Sequence, residues 1–359
     1  MPARDFFELR YIPLLSLRPA EMLALESLPE GDKELLLPSF QLRPWMGAHR
    51  LESALARIAA AYGSRPCFLD IAEAEPLEGA RRQVHDELDA LRVSAGGFDA
   101  WCTFVEAHPQ FIPALQLSDV REFDAQAERL HSLGRGVLVQ LDREAFRFAR
   151  QIASRTAAAT RGGIDVVYLL DYGRQTRDLL LQQAEAVALL RSVREQLPEA
   201  FLSFSASSFP DNFTSVSQQP IYERQFFDEI SSILADDRLI YSDRGSARAE
   251  RQLGGGGAPA PRIDYPQLAE WRFFRAADSR DRPAAYQRQA RLLMTSSGIW
   301  DGDLRVWGTQ MIERTALGDE AAITSPARAT AVRINLHLHR QLFHDDPDGL
   351  YDTDEDWTD

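Results

Sequence analysis

The chain has 359 residues, 45% of them hydrophobic and 26% charged, and carries a net charge of −14. That is ample apolar material for a large core, and the acidic balance argues against the basic footprint on which nonspecific DNA binding depends. No apolar run reaches the roughly 18 residues of a membrane span, and the two cysteines, Cys67 and Cys102, lack the spacing of a disulfide framework or a metal site.

The opening MPARDFFELR is charged and runs into a Pro-broken apolar segment, so a secretory leader is not expected and a cytoplasmic location is. From there, short apolar runs stopped by a charged or hydroxyl residue alternate with helix-sized stretches. YIPLLSLR ends at Arg18. PAEMLALESL then reads as a short helix, because Pro19 suits a first turn, Glu21 suits the positive end of the helix dipole and Gly31 follows the stop. ELLLPSFQLR ends at Arg43. In AHRLESALARIAAAYG, Leu51, Leu55, Ile58 and Ala59 share one helical face and Gly63 closes it.

PCFLDI surrounds Asp70, and 75–108 is a longer connection, charged at first and helical around FDAWCTFVEAH. The remaining runs are FIPALQLSD to Asp119, GVLVQLD to Asp142, IDVVYLLD to Asp171, AFLSFSASS to Ser208 and RLIYSD to Asp243. Helices are predicted over 120–133, 144–159, 176–196 and 221–234. Continuous apolar runs of this length mark parallel strands buried on both faces, and eight of them alternating with helices predict an α/β fold, a (β/α)8 TIM-barrel-like domain over 1–245.

The run RGSARAERQLGGGGAPAP predicts a flexible loop over 246–262. Residues 263–344, with Trp271, Trp300 and Trp307, read as a C-terminal extension packed on the barrel, and RINLHLHRQL within it alternates as a strand would. Residues 345–359 hold eight acids and no base, which leaves −6 for the rest of the chain. They read as a disordered acidic tail, or alternatively as a ligand for a basic partner anchored by Tyr351 and Trp357.

Several phrases, in this order and over nearly the whole chain, resemble the beta protein family of bacteria and phages: YIPLLSLRPAEMLAL, LLLPSFQL, SSFPDN, YSDRGS, LAEWRFF, SGIWDG, VWG and HLH. The resemblance implies a barrel outline and a setting among phages and bacterial phage-defence neighbourhoods, and it brings no assigned reaction. The chain departs from the family's habit in three places, with Arg18 where lysine is common, Gln41 where glutamate is common and Arg244 where an aromatic is common. Gln41 thereby lacks the carboxylate that a metal-ligand or general-base role would use.

In a barrel of this kind the loops after the strand C-termini carry the chemistry. Arg18, Arg43 and Arg244 are candidate ligands for an anionic, phosphorylated or nucleotide-like molecule, since a guanidinium fork matches phosphate oxygens. Ser207 and Ser208 sit where barrels often bind phosphate, beside the eighth strand, which suggests an anion held between SSFPDN and YSDRGS. Asp70, Asp171 and Asp243 are candidates for acid–base work or for a divalent metal in a hydrolytic reaction. The alternative reading pairs each arginine with a nearby aspartate as a satisfied rim. His337 and His339 share one face if HLH is a strand, and could hold a metal, exchange protons or form a structural pair. No nucleophile elbow, Walker loop, dinucleotide fingerprint or zinc motif is present. Two function classes follow: an anion-binding enzyme, or a noncatalytic subunit that engages a protein partner in an anti-phage defence complex.

Overall fold

The computed structural model describes residues 5–74, 76, 79–213, 215–247, 259–277 and 280–353. Its strands are β1 Tyr11–Ser16, β2 Ser39–Leu42, β3 Cys67–Ile71, β4 Phe111–Pro113, β5 Val137–Asp142, β6 Val166–Arg174, β7 Phe201–Ser207, β8 Gln218–Pro220, β9 Leu239–Asp243, β10 Arg262–Pro266 and β11 Glu270–Arg275. Eight of them form one parallel sheet in the order β4-β3-β2-β1-β9-β7-β6-β5, and a parallel bridge between Ala114 and Leu138 brings its two edges together. The fold is the expected (β/α)8 barrel.

Alternation along each strand separates the two faces of the sheet. Register places Ile12, Leu14, Phe68, Ile112, Leu138, Val167, Leu169, Phe201 and Ile240 inside the barrel, where they make one buried cluster. Phe6, from the 3-10 helix Phe6–Glu8, closes the N-terminal end against the rings of Phe68 and Phe201. Gly136 permits this closure. Its φ is +88°, and a Cβ there would lie 2.9 Å from the Phe6 ring. The outer face, with Tyr11, Leu15, Phe40, Leu69, Tyr168 and Phe204, packs beneath the helices.

The helix expected after β9 arrives late. Residues Pro326–Leu342 form a helix that packs on Pro19–Glu26 and reaches Asp243 at the end of β9, so it occupies the eighth helical position of the barrel. Between β9 and this helix lie β10, β11 and the helices Arg282–Met294 and Trp307–Leu317. β10 pairs antiparallel with β11, and β11 with β8, over a small aromatic core of Phe209, Phe213, Trp271 and Phe273. The barrel chain thus resumes within 263–344, the segment that was expected to be an appended extension.

RINLHLHRQL is therefore helical, not a strand. Its alternation misleads because the helix is buried on every side, and each polar side chain has a partner inside the protein. Asn335 accepts from the Gly308 N–H and donates to the carbonyls of Ala24 and Ser27, His337 meets Asp243, His339 meets Asp32, and Arg340 meets Tyr265. A helix start was visible all the same, since Ser325 caps Arg328 N–H and Pro326 occupies the first turn.

The acidic end differs from expectation as far as it is described. Arg10 pairs with Asp346 at 2.7 Å, and Gly349–Tyr351 form a 3-10 helix with Leu350 only 3% exposed. The Leu350 carbonyl also lies 2.9 Å from His339 Nε2. One leucine is enough to dock a charged segment, because burying it stabilises more than the dispersed surface charges oppose. Leu350→Ala is accordingly expected to cost about 2–4 kcal/mol in a urea titration. An unchanged midpoint would mean that 349–351 is undocked in solution. Residues 354–359, which include Trp357, lie outside the described residues.

Candidate functional site

The lumen turns from apolar to polar towards the C-terminal ends of the strands. Ser16 is level with Gln41 and Gln41 with Asp70, and on another part of the wall Asp171 is level with Ser205, so these side chains face the lumen beyond the apolar residues of their own strands. Gln116 Nε2 donates to Asp70 Oδ1 at 2.9 Å. Burial nonetheless outweighs that hydrogen bond and pushes the Asp70 carboxyl up to about 6. Across the lumen, Arg244 pairs with Asp171, to which Gln140 Nε2 also donates at 3.3 Å.

A groove of about 560 Å³ opens on the same end of the barrel, over the loops that follow β1, β2 and β3. Arg18, Arg43, Arg81, Arg82, Arg92 and His85 line it together with Glu73 and Asp89, and Leu17, Pro19, Pro44, Met46 and Leu88 give it an apolar component. Its volume falls within the ordinary range for small-molecule pockets. Arg81 and Arg92 are engaged by Asp86 and Asp89. Among the described residues, Arg18 and Arg82 have no carboxylate partner. Each sits where a helix begins, at the cap positions of Pro19–Glu26 and Gln83–Leu91. Glu21 lies beneath, 4% exposed, and burial raises its carboxyl to about 7 against the pull of Arg18, Arg43 and Arg244.

Asp243 points the other way. Its carboxylate lies on the outer face of the sheet, under the helices, where it accepts from Tyr11 and Tyr241 hydroxyls, from the Gly245 N–H at 2.7 Å and from His337 Nε2 at 2.6 Å. Burial alone would raise it, but His337 and these donors hold it below the usual carboxylate value. Beside this cluster, Ser208 donates its hydroxyl and its N–H to Glu223, and burial followed by the nearby Asp243 pushes Glu223 up to about 8. Arg224 lies over the Tyr241 ring at 3.5 Å and is held by Gln341.

The structure thus divides the residues singled out in the sequence. Asp171 and Arg244 meet in the lumen, which Asp70 also faces, Arg18 and Arg43 meet in the groove, and Asp243 and Ser208 lie in the outer buried network. Ser207 donates its hydroxyl to the Ala247 carbonyl at 2.6 Å. Asp119 stands beyond the end of β4 and caps the 3-10 helix Val120–Glu122. His337 and His339 do not share a partner, because they sit two apart on a helix and meet Asp243 and Asp32 separately. Sequence reasoning passed over Arg82, His85, Gln116 and Gln140, and read Glu21 only as a dipole residue. Arg82 was accessible as the residue before a charged helical stretch, but nothing local marks Glu21 as buried.

Among the described residues no three His, Cys, Asp or Glu side chains gather so as to hold a metal ion, and no helix is long and apolar enough to cross a membrane. The solved structures similar to this chain include a trimodular GH5_4 subfamily endoglucanase, at 11% identity and a TM-score of 0.40, matched over 67% of this chain and 57% of that one. They also include the carboxyl transferase domain of Rhizobium etli pyruvate carboxylase, at 11% identity and a TM-score of 0.37, over 92% of this chain and 49% of that one. A relative from Enterobacteria phage P4, Protein beta, is 25% identical over 344 residues, 92% of either chain. The Beta protein family model matches residues 11–343, from the first barrel strand to the end of the eighth barrel helix, and the chain belongs to that family.

Proposed function

We propose that this protein binds a phosphorylated organic anion at the C-terminal face of its barrel, with Arg18, Arg43 and Arg82 receiving the charged group. The observation that carries this reading is the pairing state of the groove: Arg18 and Arg82 face it without a carboxylate partner among the described residues. An unpaired guanidinium on a groove wall is available to an anion, whereas one tied to a carboxylate is not. The apolar lining suits an organic rather than a purely inorganic ligand.

Chemistry, where it occurs, belongs to the lumen beside the groove. Asp70, raised to about 6, exchanges a proton near neutrality, which suits general acid–base work such as hydrolysis of a phosphoryl bond. Asp171 is paired with Arg244. A protein partner, such as a component of a defence complex, is the other occupant this face fits, because Met46 stands 71% exposed at the groove.

Thermal-shift screening with inorganic phosphate, sugar phosphates and nucleotides tests the reading, since a ligand at 100 times its dissociation constant stabilises by about 2.7 kcal/mol. Arg82→Ala is expected to weaken the best binder about 10- to 150-fold in calorimetry, the usual loss for one charged hydrogen bond. Equal affinities for wild type and variant would move the anion elsewhere, and no shift with any of these compounds would favour the protein partner.

A further inference from the structure

Four polar atoms from four different parts of the barrel wall converge on the upper lumen without a hydrogen-bond partner: Ser39 Oγ, Gln140 Oε1, Ser205 Oγ and Arg244 Nε. Ser39 is 1% exposed and Ser205 is fully buried. Ser39, Gln140 and Arg244 line one narrow gap with Ser16 and Gln41, and Ser205 is level with Asp171, the partner of Arg244. Buried polar groups are ordinarily satisfied, and four orphans on the lumen face of the barrel are not explained by packing. The side chains divide the space so finely that a water molecule has no room in it. Arg244, reaching across to Asp171, is the group whose movement would open it.

We propose that this part of the lumen is a second subsite, for the hydroxyl-bearing part of a sugar or polyol phosphate, closed in the unliganded protein by the Arg244–Asp171 pair. The inference rests on the anion reading of the groove. Charge is segregated between the two places. The groove presents arginines, which suit phosphate, whereas the lumen presents the acceptors Gln140 Oε1, Asp70 and Asp171, which repel an anion and suit hydroxyl donors. Serine hydroxyls and Arg244 Nε complement a polyol's own oxygens. The two sites adjoin around Glu21, since Arg18 and Arg43 of the groove and Arg244 of the lumen all act on its carboxyl. Arg244 released from Asp171 gains the ligand's phosphate as a new partner, so opening the lumen does not leave its charge unpaired.

Calorimetry on the full chain with inorganic phosphate and with ribose 5-phosphate tests the proposal. The wild type is expected to bind ribose 5-phosphate at least about tenfold tighter than phosphate, the contribution of one or two added hydrogen bonds. Ser205→Ala should reduce that preference about three- to tenfold while leaving phosphate affinity unchanged. Its unliganded melting temperature should stay at or above wild type, because the hydroxyl has no partner to lose. Ser39→Ala serves as an independent second variant with the same expected pattern. Arg82→Ala, by contrast, should weaken both ligands alike. Phosphate binding without a sugar preference, or a preference untouched by both serine variants, overturns the lumen subsite and leaves the groove standing. Failure of the wild type to bind either compound overturns both.

Discussion

Asp243→Ala is expected to lower the unfolding free energy by about 3–5 kcal/mol, because it leaves several buried donors unsatisfied at once. The carboxylate is the common acceptor for Tyr11, Tyr241, the Gly245 N–H and His337, all buried. Its removal strands four donors at the seam where β1 and β9 meet the eighth helix. Asp243→Asn keeps one acceptor oxygen and should cost less than the alanine variant. Urea titrations of the two variants decide the matter. An alanine variant within 1 kcal/mol of wild type would show that the network is dispensable, and loss of ligand binding at unchanged stability would restore the catalytic role suggested by the sequence.

Stability is expected to fall as pH rises from about 5 to about 8. Glu21 and Glu223 titrate at about 7 and about 8 in the fold, against an ordinary value of 4.5. Between those values the folded chain keeps two protons that the unfolded chain has released, so each rise in pH favours unfolding. At about 1.4 kcal/mol per unit, Glu21 costs roughly 3 kcal/mol and Glu223 roughly 5 kcal/mol once the proton is gone. Asp70, raised to about 6, acts in the same direction. Asp243 is lowered, so its contribution is lost only in acid, below the ordinary aspartate value and outside this window. Glu21→Gln and Glu223→Gln should therefore change little at pH 5 and stabilise at pH 8.5, each flattening part of the pH dependence. Wild-type stability that is level or rising from pH 5 to 8, measured by urea unfolding, would refute the assignment.

The period of the chain determined the barrel. Eight apolar runs separated by helix-sized stretches are a local property, and burial on both faces of a parallel strand writes itself into the residues of that strand alone. Arg18 and Arg43 were legible for the same reason, as polar stops just past the ends of β1 and β2. What no strand records by itself is which face a polar stop will use. Asp243 and Arg244 are neighbours, and a period of two sends one under the helices to His337 and the other into the lumen to Asp171. The eighth helix was hidden more thoroughly. Its polar residues are buried against partners more than 60 residues away, including Asp32, Asp243 and Asp264, so the amphipathic stripe that announces a surface helix is missing. Glu21 and the orphaned atoms of the lumen belong to the same class, because desolvation and missing partners arise only when several strands close around one space.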